Sequence, residues 1–251
     1  MKRLSSTGGR SRDAGFSLME LAIALLIVGT LMSGVLVAVS QTAENGRITA
    51  AKAQLREIEE ALYGFAQAYG RLPCPATNLS TIAGFEESPC TSMHGFVPAG
   101  TLGINGSTNE DGLLVDPWQQ PLRYSVIMTA TVGFNPNFSN ATSIDSYFTA
   151  GTVITNPTGT YMFKVCEDTA CSATKSDIVP AVVLSLGKNW SSYSSADEAL
   201  NAGDQLMSGY AIKDDYIFIS TTYSEDNFDD QVTWLSPYIL FNRLVSAGKL
   251  P

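Results

Sequence analysis

The sequence is poor in the residues that most catalytic chemistry needs. It has one histidine, His94, and four cysteines in 251 residues. It contains no nucleophile elbow, no Walker loop and no zinc signature. A Ser–His–Asp or Cys–His centre needs a base oriented by a third group, and a single histidine in Ser92-Met93-His94-Gly95 offers no such context. The cysteines lack zinc-ligand spacing. Asp229-Asp230 suggests a carboxylate pair, but adjacent residues are expected to project in different directions. The chain is therefore not read as an enzyme. Basic residues are also scarce, 15 against 24 acidic ones, for a formal charge of −9. Residues 1–15 carry +3 (Lys2, Arg3, Arg10 and Arg12 against Asp13), so the remainder carries −12. Arg71, Arg123, Lys164, Lys175 and Lys188 are too scattered in sequence to form a basic patch. That balance argues against nucleic acid and anionic lipid as the main partner of the globular part. No internal repeat occurs, and no proline interrupts residues 16–69.

Against these absences stands one long hydrophobic run, from Phe16 to Val39, with a single charged residue, Glu20. About twenty residues suffice to cross the hydrocarbon core of a bilayer. Lys and Arg precede the run, so the positive-inside rule leaves the leader in the cytoplasm and exports the rest. A glutamate near the start of a membrane helix costs roughly 2.5–3.5 kcal/mol at mid-bilayer, less near the interface. A plain anchor gains nothing from that cost.

Gly15-Phe16-Ser17-Leu18-Met19-Glu20 and the apolar run behind it resemble the type III signal of type IV pilins and pseudopilins. An ordinary secretory signal is cut after its apolar core, whereas here the Gly15 junction lies before it. The resemblance implies that a prepilin peptidase cuts between Gly15 and Phe16 and N-methylates Phe16. It also implies that Glu20 pairs with the free N-terminal amine of a neighbouring subunit, fixing axial register in a filament. Gly29, Ser33, Gly34 and Ala38 offer small surfaces for close helix contact. The implied partners are other pilin or pseudopilin subunits, the peptidase and an inner-membrane assembly platform. Many major pilins carry a proline in this helix, and this chain has none.

Beyond the run, Ile48, Ala51, Leu55, Ile58, Leu62, Phe65 and Tyr69 recur at three- and four-residue spacing. Glu44, Arg47, Lys52, Arg56, Glu57 and Glu60 oppose them. One helix over Phe16–Tyr69 is predicted, stopped by Gly70 and Pro73. The expected organisation is a leader at 1–15, an assembly helix at 16–39, its amphipathic continuation at 40–70 and a globular domain at 71–251. The fold class is α+β: a long N-terminal helix packed on an antiparallel sheet, the pilin architecture.

Residues 70–121 read as a long connection. Asp116-Pro117-Trp118-Gln119-Gln120-Pro121-Leu122-Arg123-Tyr124 leads a strand to Met128 and resembles a segment of major pseudopilins. Further strands are expected at Tyr161–Cys166, Ile178–Leu186 and Tyr216–Thr221, with residues 130–160 an extended loop or poorly paired hairpin. Ser236-Pro237 opens a last helix that Gly248 closes. Cys166 and Cys171 bracket a tight hairpin, and Cys74 and Cys90 flank a polar loop. Two local disulfides in an oxidising periplasm are expected.

Ser185-Leu186-Gly187-Lys188-Asn189 ends a strand and opens an acidic, Ser-rich loop holding Asp197, Glu198, Asn201 and Asp204. The order resembles the calcium loop of major pseudopilins. It implies Ca2+ ligands among Leu186 (through its backbone carbonyl), Asn189, Glu198, Asn201 and Asp230, hard oxygen donors of the kind calcium takes. Asn189 stands where that family has an aspartate, Trp190 where it has a glycine, and the intervening loop is longer.

The reading is of a pilin-like structural subunit, single-pass in the inner membrane and then part of a type IV pilus or type II secretion pseudopilus. Its length points to a minor subunit. A pilus-tip adhesin whose Thr/Asn-rich 130–160 region meets a ligand, and a signal-anchored periplasmic enzyme, are the alternative readings. The enzyme alternative has no use for Glu20.

Overall fold

The computed structural model describes residues 17–78, 84–128, 137–149, 162–193, 195–203, 216–225 and 227–251, and side chains within the first helix outside 33–39. Gly15, Phe16 and Asp204, the side chains of Ser33, Gly34 and Ala38, and most of 130–160 lie outside that description. The chain divides after Gly46 into two compact units.

Helix α1 runs Leu18–Tyr69. Ser17-Leu18-Met19-Glu20 forms a capping box at its start. The Met19 N–H donates to Ser17 Oγ at 3.3 Å, and the Ser17 N–H donates to Glu20 Oε2 at 3.3 Å. Gly70, at φ +71°, ends the helix by donating its N–H to the Ala66 carbonyl. The described apolar side chains of the first unit face outward: Leu18, Leu26 and Met32 are 88%, 67% and 65% exposed. Among the described residues, no helix is long and apolar enough to cross a membrane.

In the second unit the remainder of α1 turns one stripe inward. Ala51, Leu55, Ile58, Leu62, Tyr63, Phe65 and Ala66 are buried. Tyr69, placed on the stripe by spacing, is instead exposed and lies against the Phe65 ring, because the core ends one turn earlier. The stripe covers a four-stranded sheet in the order β1 (His94–Phe96), β2 (Arg123–Val126), β5 (Ala181–Ser185), β7 (Gln231–Trp234), antiparallel throughout. Register assigns the faces, since paired residues share a side. Gly95, Tyr124, Val183 and Thr233 form one row, and Thr233 Oγ1 donates to Glu59 of α1 at 3.1 Å. His94, Ser125, Val182 and Trp234 form a row on the other face. There the His94 ring meets Phe163 and Phe218 of a second sheet. Its order is β4 (Thr174–Val179), β3 (Phe163–Cys166), β6 (Ile217–Ile219). Every residue of β5 is buried, as a strand covered on both faces must be.

Several sequence expectations are corrected. The stretch read as one strand, Ile178–Leu186, is two: Pro180 has no N–H for the ladder, and the chain leaves the second sheet as β4 and enters the first as β5. The sheet expectation of antiparallel strands holds for the larger sheet, but β3 and β6 pair in parallel. β1 lies in the region read as connection. Its Gly95 lies so close to the backbone of Ala76 that a Cβ would sit 2.6 Å from that carbonyl oxygen. Two short helices, α2 (Ala99–Leu102) and α3 (Ala141–Thr149), also fall in regions read as loop. A fourth, α4 (Ala196–Ala202), lies inside the acidic loop. The last helix, α5, spans Pro237–Ser246 with Pro237 in its first turn, as read. Ser236 caps with no side-chain bond, and its N–H donates to the Tyr63 hydroxyl at 2.8 Å.

Both disulfides form as expected, Cys74–Cys90 and Cys166–Cys171, with Cα atoms 5.5 and 5.0 Å apart. The segment around Cys74 is held by Arg71, whose guanidinium donates twice to Glu86 at 2.8 and 2.9 Å. Glu86 in turn accepts the Cys74 N–H at 3.0 Å.

Leu62 is fully buried beneath the sheet. Leu62→Ala is expected to lower stability by about 2–5 kcal/mol, read as a lower urea midpoint by tryptophan fluorescence. A midpoint unchanged within error would contradict the assignment of this stripe to the core.

A buried carboxylate cluster as candidate metal centre

The pairing of β5 with β7 ends at Ser185 opposite Gln231. The residues just after β5 and just before β7 therefore lie side by side. The turn after β5 is built around Gly187 at φ +66°, where a Cβ would run into the Asp229 carboxylate. Lys188 and Asn189 then aim their N–H groups at Asp229 Oδ2, at 2.7 and 3.2 Å.

The turn is braced from below by the Asp-Pro-Trp segment. Asp116 Oδ1 accepts the N–H groups of Trp118 and Gln120, both at 2.9 Å, closing its own turn. Its Oδ2 accepts the Ser185 hydroxyl at 2.5 Å, and Ser185 Oγ accepts the Gly187 N–H at 3.2 Å. Burial pushes the Asp116 carboxyl above the usual carboxylate range, against the pull of these donors.

Helix α4 supplies the third side. Ser195 caps it by accepting the Glu198 N–H, and Asp197 and Glu198 sit in its first turn, where the helix dipole favours negative charge. Glu198, Asn201 and Ala202, at helical spacing, are buried together. Glu198 Oε1 accepts the Asp229 N–H at 3.0 Å, and the Asn189 amide donates to both Glu198 oxygens at 3.1 and 3.0 Å. Asn201 Nδ2 donates to Asp230 Oδ2 at 2.8 Å and to the Ile219 carbonyl at 2.9 Å, while its Oδ1 accepts the Ile219 N–H at 2.8 Å.

Glu198, Asp229 and Asp230 are 1%, 2% and 5% exposed, and each brings a carboxylate oxygen within 4.8 Å of the others. Asp229 Oδ1 is buried with no hydrogen-bond partner. Burial, opposed by the Lys188 and Asn189 amides and reinforced by the Glu198 charge, pushes the Asp229 carboxyl up to about 6. Burial likewise raises Asp230 well above its usual range, with Asn201 and Arg123 pulling the other way. Three crowded carboxylates and one orphaned buried oxygen fit a hard divalent cation, which neutralises such charge with oxygen ligands.

The structure brings Asn189, Glu198, Asn201 and Asp230 together around Asp229. It places the Leu186 side chain in the apolar core. Asn201, read as a ligand, spends its carbonyl oxygen on Ile219 and acts as a strut between β6 and Asp230. Asp229, left out of that set, stands beside Glu198 and Asp230 in the buried carboxylate group. The expectation that adjacent aspartates diverge fails because residues 229–230 precede β7 and are outside its pleat. His94 is buried between the sheets, its Nδ1 2.8 Å from Ser125 Oγ. Glu20 is exposed at the start of α1.

A raised carboxyl pKa makes the protonated form the one that folding favours. The stabilising contribution is therefore complete below the unfolded value and is lost as pH rises through about 6 at Asp229. With chelator present, the thermal midpoint is expected to fall between pH 5 and 8, beyond what Asp229→Asn shows. At pH 8 that variant should melt higher by roughly 2–4 °C, the shift of about 1 kcal/mol in a domain of this size. An identical pH profile for both proteins would contradict the buried-charge account.

No curated protein and no solved structure shows a significant match to the chain. Residues 10–36 match the family model of the prokaryotic N-terminal methylation motif. That span contains the Gly15–Phe16 junction, the Ser17–Glu20 capping box and the apolar run. The N-terminal segment of this chain carries the prepilin-type signal of type IV pilins and pseudopilins.

Proposed function

We propose that the chain is the precursor of a pilin-like structural subunit. Prepilin peptidase cuts it between Gly15 and Phe16 and methylates Phe16. The apolar helix holds it in the inner membrane until it joins a type IV pilus or type II secretion pseudopilus as a minor subunit. The observation that carries this reading is the methylation motif at residues 10–36 with Glu20 as the one charge in its apolar run. Leu18 to Met32 present apolar side chains outward on a helix, and such a surface is stable against lipid or against the same helix of other subunits. Glu20 Oε2 already reaches back to the Ser17 amide at the start of the helix. Once cleavage frees an amine on residue 16, an unpaired carboxylate among apolar helices favours the one arrangement that gives it a cationic partner.

The buried cluster extends this proposal. Glu198, Asp229 and Asp230 would hold Ca2+, and the cation would supply the positive charge that three crowded carboxylates lack. The Lys188 and Asn189 backbone N–H groups hold Asp229, the Asn189 side-chain amide holds Glu198, and Asn201 fixes Asp230. The result is a pinned junction between β5, α4 and β7 in a subunit that must keep its shape while assembling.

Glu20→Ala should reduce incorporation into sheared filaments to background while the precursor is made and cut normally, read by immunoblot of filament and membrane fractions. Normal incorporation of the variant overturns the assembly reading. For the cation, the full chain in detergent should gain thermal stability with Ca2+, about 2.7 kcal/mol at a hundredfold excess over Kd. Asp230→Ala should abolish that gain. A wild-type midpoint indifferent to Ca2+ and chelator overturns the cation reading.

A further inference from the structure

The Cys166–Cys171 disulfide lies outside the carboxylate cluster, yet two separate chains of contact run from it to all three acids. The first runs through the loop it closes. The Thr169 N–H, inside the ring, donates to Asp197 Oδ1 at 2.8 Å, and Asp197 is the residue before Glu198 in the first turn of α4. The loop is held in shape by Asp168, whose carbonyl accepts the Cys171 N–H at 2.9 Å and whose carboxylate accepts the Ser172 N–H and hydroxyl. The second runs through Cys166 itself. It is fully buried in a small cluster with Ile219 and Phe228, flanked by Cys171, Leu200 and Ile217. Phe228 adjoins Asp229. Ile219, paired with Cys166, has both backbone groups engaged by Asn201, which donates to Asp230.

We propose that this disulfide gates the cation site: oxidised, it assembles the three carboxylates, and reduced, it releases them. The inference rests on the cation reading above. Reduction by a dithiol breaks the S–S bond, and each sulfur takes one electron and one proton to become a thiol. The reductant's two thiols lose the same electrons and protons to form its own disulfide. The ring then opens, and the Thr169 amide is no longer held against Asp197. α4 has seven residues, too few to persist without tertiary support. Glu198 moves with it, and loosening of Cys166 against Ile219 and Phe228 frees the Asn201 strut and the chain entering Asp229. A cation then meets a dispersed set of acids. Oxidation thus precedes cation binding, which restricts the loaded site to a chain that has reached an oxidising compartment. The second disulfide, Cys74–Cys90, contacts Glu86 through the Cys74 amide instead and serves as an internal control.

Coupling between two binding or redox equilibria is reciprocal, which gives the test two independent readouts. In the full chain in detergent, calorimetric titration with Ca2+ should give a Kd at least about tenfold weaker for Cys166→Ser/Cys171→Ser, and within about twofold of wild type for Cys74→Ser/Cys90→Ser. Asp197→Ala keeps both disulfides and removes the first path, together with one acidic charge in the first turn of α4. It should weaken Ca2+ by about threefold, a check that does not depend on the double variant folding. Saturating Ca2+ should also shift the wild-type Cys166–Cys171 equilibrium toward the disulfide by the same factor, measured by thiol alkylation and mass spectrometry. Ca2+ binding by wild type with unchanged Kd in both the double variant and Asp197→Ala overturns the gate alone. Absence of Ca2+ binding by the wild type overturns the cation reading and the gate with it.

Discussion

The contact between one stripe of α1 and one face of the four-stranded sheet is the constraint on which the rest of the globular unit depends. Leu55, Ile58, Leu62 and Ala66 remove that face from water, and Glu59 and Tyr63 fasten the same stripe to Thr233 and Ser236. With one face committed, the other must be covered by something else, and the smaller sheet covers it through Phe163 and Phe218. β5 is then buried on both sides. Its end and the approach to β7 lie together at one rim, where the carboxylates gather. The position of the candidate site follows from strand register, and strand register follows from which face the helix claims.

Charge burial explains the local build of that rim. A carboxylate removed from water raises its affinity for protons or recruits positive charge. Asp229 shows the first response, and its orphaned Oδ1 leaves room for the second. Around it, backbone amides hold Asp229 Oδ2, the Asn189 side-chain amide holds Glu198, and Asn201 holds Asp230. The acid on which the cluster turns is also the one against which Gly187 is packed, so the turn geometry and the charge arrangement specify one another.

Much of this was legible in the sequence, for physical reasons. A long stripe at helical spacing with Gly70 after it reads as one helix because fifteen or so residues of consistent period leave little alternative. Ser236-Pro237 announces a helix start by chemistry, and closely spaced cysteines announce local bridges. What escaped was short or ambiguous. β1 is three residues, His-Gly-Phe, with no alternation to detect. α4, Ala-Asp-Glu-Ala-Leu-Asn-Ala, hides as an acidic loop because its buried face is made of Glu198 and Asn201, with Ala202 the one apolar member. α3 is built on Thr and Ser with three large apolar residues. Pro180 was visible, but its effect, a change of sheet, depends on partners distant in the chain. The same holds for Asp229, which converges with Asp230 only because the strand begins one residue later.

The central claim is that the segment ahead of this fold is a processing and assembly signal. Mass spectrometry of the mature protein from sheared filaments and washed inner membranes of its native host tests it most directly. The account predicts an N-terminal peptide beginning at N-methylated Phe16, with Gly15 and everything before it gone. A chain that begins at Met1, or after Val39, would contradict it.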